Sequence, residues 1–130
     1  MPKKTLALIL AAGKGSRLKV NCPKPLYPID NKPIIMHIID EFKKLNNIDI
    51  CIVVGHQKEK IMNFMGNDYL YAIQSNQLGT ADAVRSASSI IEKYDDTFVF
   101  VGDSPFVDSK IVKELYTSHI ALSADCSFLY

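Results

Sequence analysis

Acidic residues are missing from the first part of this sequence: none precedes Asp30, whereas Lys3, Lys4, Lys14, Arg17, Lys19 and Lys24 all do. The net charge of the chain is only +1, so this is a local cationic segment. It is not the overall basicity of a general nucleic-acid binder. Cysteine is scarce as well. Cys22, Cys51 and Cys126 are odd in number, widely spaced, and lack both a CxxC pair and a histidine at metal-ligand spacing. That excludes a disulfide framework and a zinc ribbon, and leaves free thiols in a reducing cytoplasm as the expectation. No apolar run is long enough to cross a bilayer. The apolar part of MPKKTLALILAAG is too short, and too soon interrupted by glycine, to read as a signal peptide, so a cytoplasmic protein is expected. Internal repeats, low-complexity stretches and Ser/Gly linkers are absent too, which leaves one domain over residues 1–130.

What is present is ordinary globular material. Hydrophobic residues make up 48% and charged residues 22% of the 130, enough to build a real core. Thr5 to Ala12 is a continuous apolar run closed by Gly13, the pattern of a strand buried on both faces. Pro33 stands where a first helical residue would, and Ile34, Ile35, Ile38, Ile39, Phe42 and Leu45 follow at helical spacing. Ile48 to Val54 is a second strand closed by Gly55, and a short helix through Ile61, Met62 and Met65 is ended by Gly66. A brief strand over residues 69–74 leads to Thr80, read as the N-cap of a helix carrying Ala83, Val84, Ala87, Ile90, Ile91 and Tyr94 on one face. Thr97 to Val101 is a fourth strand, Asp108 caps a helix with Ile111, Val112, Leu115 and Tyr116, and Ala124 to Tyr130 reads as a fifth strand. The alternation predicts an α/β sandwich with a mostly parallel sheet.

In such sheets ligands bind beyond the carboxyl ends of the strands. Attention therefore falls on loops 13–28, 74–80 and 102–106. The first of these lies in LAAGKGSRLKVNCPKPL. Gly13 and Gly15 can take φ > 0 and let a polyanion touch the backbone, whose N–H groups form an anion-binding concavity. The Walker phosphate loop requires a different glycine spacing, and the dinucleotide fingerprint requires a third glycine where Leu18 stands, so neither fits. Arg17, a planar fork, and Lys24, a point charge held between Pro23 and Pro25, are the phosphate-binding candidates.

LAAGKGSRLKVNCPKPL, with YPIDNKPIIMHIID after it, resembles the signature region of the sugar-phosphate nucleotidyltransferases. QSNQLGTADAV and VFVGDSPFV are similar to the base-binding segment and the metal-binding strand end of the N-acetylglucosamine-1-phosphate uridyltransferases among them. The resemblance covers nearly all of the chain and implies a Rossmann-like nucleotidyltransferase sandwich, of which residues 1–130 are a C-terminally incomplete part. It implies that UMP passes from UTP to N-acetylglucosamine 1-phosphate with release of pyrophosphate. Leu10, Ala11, Ala12, Gly13 and Gly15 would then contact the nucleotide, Arg17 and Lys24 would be catalytic, and Gly102 would join the nucleotide-binding set.

Gln74 carries a donor and an acceptor suited to a base edge, Gly79 allows close approach, and Thr80 starts the next helix. Similar GTA segments serve other bases, so guanosine, thymidine and adenosine remain alternatives to uridine. Asp103, the first charged residue after the fourth strand, is read as a ligand for Mg²⁺, which takes one or two carboxylates together with substrate phosphates. In the resembled family the second protein ligand and much of the sugar pocket lie in sequence beyond residue 130. A non-catalytic nucleotide-binding module, or a fragment, is the alternative reading. His56, His37 and His119 are expected to be structural. No acetyltransferase segment, nucleic-acid partner or membrane partner is expected, and the apolar C-terminal strand is an open edge through which copies could associate.

Overall fold

The structure is a computed structural model that describes residues 3–13 and 22–129. A four-stranded sheet organises it: β1 (Thr5–Leu10), β4 (Ile48–Val54), β5 (Leu70–Ile73) and β6 (Asp96–Val101), in spatial order β5-β4-β1-β6. All three pairings are parallel, with Leu8 beside Cys51 on one flank and Val99 on the other. A parallel sheet must bury both faces, and the side chains of β1 alternate between two cores. Ala7, Ile9 and Ala11 pack with Ile35, Ile38, Ile39 and Phe42 of α1 (Ile34–Lys43). Leu6, Leu8 and Ala12 face the other way, toward Ala83 and Ala87. The continuous apolar run in the sequence is this double burial.

The helices follow from apolar stripes and local stops. Gly66 at φ 80° ends α2 (Lys58–Met65), a left-handed conformation that glycine adopts without steric cost. Asp108 caps α5 (Ser109–Ala121), its Oδ1 accepting from the Lys110 N–H at 2.8 Å. Glu41, on α1, reaches across to accept from the Ser109 N–H at 3.1 Å. Phe42 meets Phe98 and Phe100 of β6 at centroid distances of 5.8 and 6.0 Å, which ties the far strand to α1.

Several expectations are corrected. Pro33 is not the first helical residue: it is the N-cap of α1 and also pairs in a small hairpin of β2 (Pro28–Ile29) and β3 (Lys32–Pro33). Asp30 and Asn31 form its turn at φ 51° and 63°, the doubly left-handed geometry that short polar side chains tolerate. His37 secures the hairpin, its Nε2 lying 2.7 Å from the Ile29 carbonyl. Thr80 is not an N-cap. Gly79 takes that position at φ 99°, and Thr80 is the first residue of α3 (Thr80–Arg85). The single helix expected through Tyr94 is two, because Ala87 leaves helical geometry before α4 (Ser88–Ile91). Residues 124–129 form no strand; after α5 the chain is largely exposed and turns back to that helix at Ser127, whose Oγ is 2.8 Å from His119 Nδ1. Among the described residues the edges of the sheet are instead β5, where Leu70 and Ile73 are exposed, and β6, where Val99 and Val101 are. No helix among the described residues is long and apolar enough to cross a membrane.

Candidate functional site

The strand order places the site. From β1 the chain moves outward through β4 to β5, then returns to the opposite flank of β1 as β6. Connections therefore diverge at the carboxyl ends of β1 and β6, and such a reversal opens a crevice. A cavity of about 370 Å³ lies there, within the size range of small-molecule sites. Its walls come from all three loops singled out by sequence. Leu10 at the end of β1 and Ala11, Ala12 and Gly13 just after it line the cavity, with Gln74 and Gly79 from the loop after β5, Thr80 from the start of α3, Asp103 from the turn after β6, and Lys24.

Close backbone approach keeps the β1 end narrow. The Ala11 N–H donates to Val53 O at 2.8 Å and the Gly102 N–H to Leu10 O at 2.7 Å, so the backbone of β1 is clasped from both sides. Gly102 serves that clasp and does not line the cavity: a Cβ there would stand 2.8 Å from the Leu10 carbonyl oxygen. Gly55 is comparable, since a Cβ would meet Gln74 O and Gln77 Nε2 at 2.9 Å each. Gly13 differs from both. Its φ is not left-handed and a Cβ would meet nothing within 4 Å, so its contribution is open space above the strand end and not an unusual turn.

Lys24 begins a single 3₁₀ turn (Lys24–Leu26) entered from Pro23 at φ −56°, with Pro25 buried beneath it. The prolines limit the conformations this turn can lose, as expected. Lys24 Nζ stands 3.4 Å from Asp103 Oδ2, with the two side chains 39% and 49% exposed. At that exposure the pair adds little stability, and both charges are available to a ligand. Arg17 and Gly15 fall within residues 14–21, outside the described residues.

Gln74, singled out from the sequence, is a buried polar member of the wall. Its Nε2 donates to Gly79 O at 3.2 Å and to Asp82 Oδ2 at 3.0 Å. The donor half of the amide is therefore already engaged, and only the acceptor half is left for a base. Sequence reasoning missed Gln77, which also lines the cavity, and Asp82, which holds Gln74. Both stand in QSNQLGTADAV, where a second amide beside the first was the available signal for Gln77.

A parallel sheet whose order reverses beside a cavity with glycine, amide, cation and carboxylate in its wall is the arrangement in which α/β domains seat small ligands. The chain belongs to the MobA-like NTP transferase family, whose profile matches residues 7–129. It is 38% identical over 125 residues to the bifunctional protein GlmU of Symbiobacterium thermophilum, covering 95% of this chain and 26% of that protein. To GlmU of Neisseria meningitidis it is 40% identical over 116 residues, covering 88% and 25%. The chain thus spans about a quarter of the length of these relatives. A solved structure from Bacillus anthracis, provisionally assigned as a glucose-1-phosphate thymidylyltransferase and holding a sucrose, superposes with a TM-score of 0.76. It is 28% identical, covering 88% of this chain and 51% of that one. The fold is therefore that of the sugar-phosphate nucleotidyltransferases, as the signature loop implied.

Proposed function

We propose that this chain carries the nucleotide-binding part of a uridylyltransferase that joins UTP and N-acetylglucosamine 1-phosphate, giving the UDP-sugar and pyrophosphate. The observation that carries the reading is the meeting of Lys24 and Asp103, 3.4 Å apart, in the cavity that Gln74, Gly79 and Thr80 also line. A phosphate-binding charge, a metal-type carboxylate and a base-type amide thus share one crevice at the strand-order reversal. In this reaction an oxygen of the sugar phosphate attacks the α-phosphorus as pyrophosphate leaves, so no protein nucleophile is needed. The tasks left to the chain are orientation and charge stabilisation. Lys24, with Arg17 as a second cation, would neutralise phosphate oxygens; Leu10 to Gly13 would lie along the nucleotide; Gln74 and Gly79 would receive the base.

Asp103 suits Mg²⁺ by the chemistry of its donor set: one accessible carboxylate facing a phosphate-binding region, and among the described residues no cluster of three or more His, Cys, Asp or Glu that could hold an ion unaided. Mg²⁺ prefers that arrangement to an all-protein cage. When bound it would supply neutralisation of phosphate charge. All three cysteines are free thiols, which supports a reducing, cytoplasmic setting as part of this proposal.

The second reading is a nucleotide-binding module without turnover. Incubating the chain with Mg²⁺, UTP and N-acetylglucosamine 1-phosphate and measuring pyrophosphate decides between them. Release dependent on both substrates supports the transferase; UTP binding without release supports the module. Turnover with another triphosphate or sugar phosphate in a substrate panel would move the assignment within the family.

A further inference from the structure

We infer that Asp82 sets the base selectivity of the cavity, by holding the Gln74 amide so that it offers only an acceptor, to the ring N–H of a bound base. The inference rests on the reading of this cavity as a nucleotide site. Gln74 is 4% exposed, and its amide faces Gly79 O at 3.2 Å and Asp82 Oδ2 at 3.0 Å. A carbonyl and a carboxylate can only accept, so the amide must meet them with its NH₂ group. The orientation follows from the partners and needs no distinction between nitrogen and oxygen positions. Oε1 takes no protein partner among the described residues. No buried side-chain nitrogen or oxygen among them lacks a partner, so Oε1 opens on the cavity that Gln74 lines.

The consequence is chemical. Uracil, thymine and guanine carry an N–H at the pairing ring nitrogen, whereas cytosine and adenine carry a lone pair there. A fixed acceptor matches the first group and repels the second. An amide free to turn would serve both, presenting Oε1 to one and Nε2 to the other, and would select neither. Gly79 O alone is a single long contact at 3.2 Å, so the second acceptor is what removes that freedom. Asp82 also lies in the first turn of α3, where a carboxylate favours a helix start. A purely helical role would leave selectivity untouched, which gives the test its edge.

Binding of UTP, CTP and 3-methyluridine triphosphate to the full chain is measured by titration calorimetry in magnesium buffer. In 3-methyluridine triphosphate a methyl group replaces the ring N–H. The wild type is expected to bind UTP about 10- to 100-fold more tightly than either analogue, because a buried acceptor is otherwise left unmatched. In Asp82→Ala the preference is expected to shrink to about threefold or less while UTP still binds. Asp82→Asn keeps one acceptor oxygen in a side chain of the same shape and is expected to fall between the two; it serves as the test if the alanine variant fails to melt cooperatively. Equal binding of all three ligands by the wild type, or an unchanged preference in the Asp82 variants, would overturn this inference alone. A wild type that binds no triphosphate at all would overturn the nucleotide reading and this inference together.

Discussion

The two ends of the parallel sheet handle polar groups in opposite ways. At the amino ends of the strands, charged and hydroxyl groups are paired with one another. Asp96 Oδ2 accepts from the Tyr116 hydroxyl at 2.8 Å and lies 3.7 Å from Lys3 Nζ, while the Tyr94 hydroxyl donates to Asp49 at 2.6 Å. The Lys4 N–H closes on Asp95 at 2.8 Å. At the carboxyl ends the same types of group are left accessible: Lys24 and Asp103 are substantially exposed and loosely paired, and the Gln74 oxygen is spare. Pairing consumes the interaction energy of polar groups within the fold, whereas incomplete pairing leaves it for a ligand. One end of the sheet secures the structure and the other is equipped to bind.

The largest expected effect breaks the binding end without touching the securing end. Lys24→Ala and Asp103→Asn should each lower pyrophosphate release by about 100-fold or more, the scale of losing one preorganised electrostatic contact. Their melting temperatures should stay near the wild-type value, because a half-exposed ion pair is worth at most about 1 kcal/mol. Wild-type rates in either variant would remove that residue from the mechanism. The next effect probes the boundary between the ends. Gly102→Ala places a Cβ 2.8 Å from the Leu10 carbonyl and should cost about 1–3 kcal/mol, read in a denaturant titration, as β6 is pushed off β1. Gly13→Ala meets nothing within 4 Å, so it should keep full stability and lose only ligand affinity.

Smaller effects sharpen the securing end. Burial first, then the Asp49 hydrogen bond, pushes the Tyr94 phenol from 10.0 up to about 12. A phenol whose pKa is raised on folding stabilises the fold fully below its unfolded pKa and loses that contribution as pH rises through the folded one. Stability should therefore decline between pH 10 and about 12, and Tyr94→Phe should flatten that decline while costing about 1 kcal/mol at neutral pH. An equal alkaline slope in both proteins would contradict it. Smallest is Glu41, whose carboxyl is held below its ordinary value by hydrogen bonds from Lys44 and then from the Ser109 N–H. A lowered carboxyl pKa stabilises above the unfolded value of 4.5, and that contribution is lost as pH falls below it. Glu41→Gln should thus weaken the acid dependence and change neutral stability by less than about 1 kcal/mol.

The sheet was legible in the sequence because parallel strands announce themselves: Thr5 to Ala12 and Ile48 to Val54 are unbroken apolar runs, and double burial produces such runs. The site was legible at the level of loops for a related reason, since topology sends strand ends to one place whatever their side chains. Local geometry was not. The Asp30-Asn31 turn depends on two adjacent left-handed residues without glycine, and the break before α4 falls at an alanine, a residue that favours helix. The final strand failed differently. ADCSFLY has strand-like composition, but apolar composition alone does not supply a pairing partner, and residues 124–129 follow α5 without returning to the sheet. Asp82 was invisible because its role depends on a side chain eight positions earlier folding back toward it.

The three thiols form a graded set of chemical handles. Burial pushes Cys51 up to about 11 and seals it inside the second core, so a maleimide reagent should pass it by. Cys126 is exposed and should be labelled first. Cys22 is half-buried one residue before Pro23, with its Sγ 3.4 Å from the Pro23 carbonyl; its alkylation rate should fall between the other two, so a graded series of reagent concentrations would separate the three.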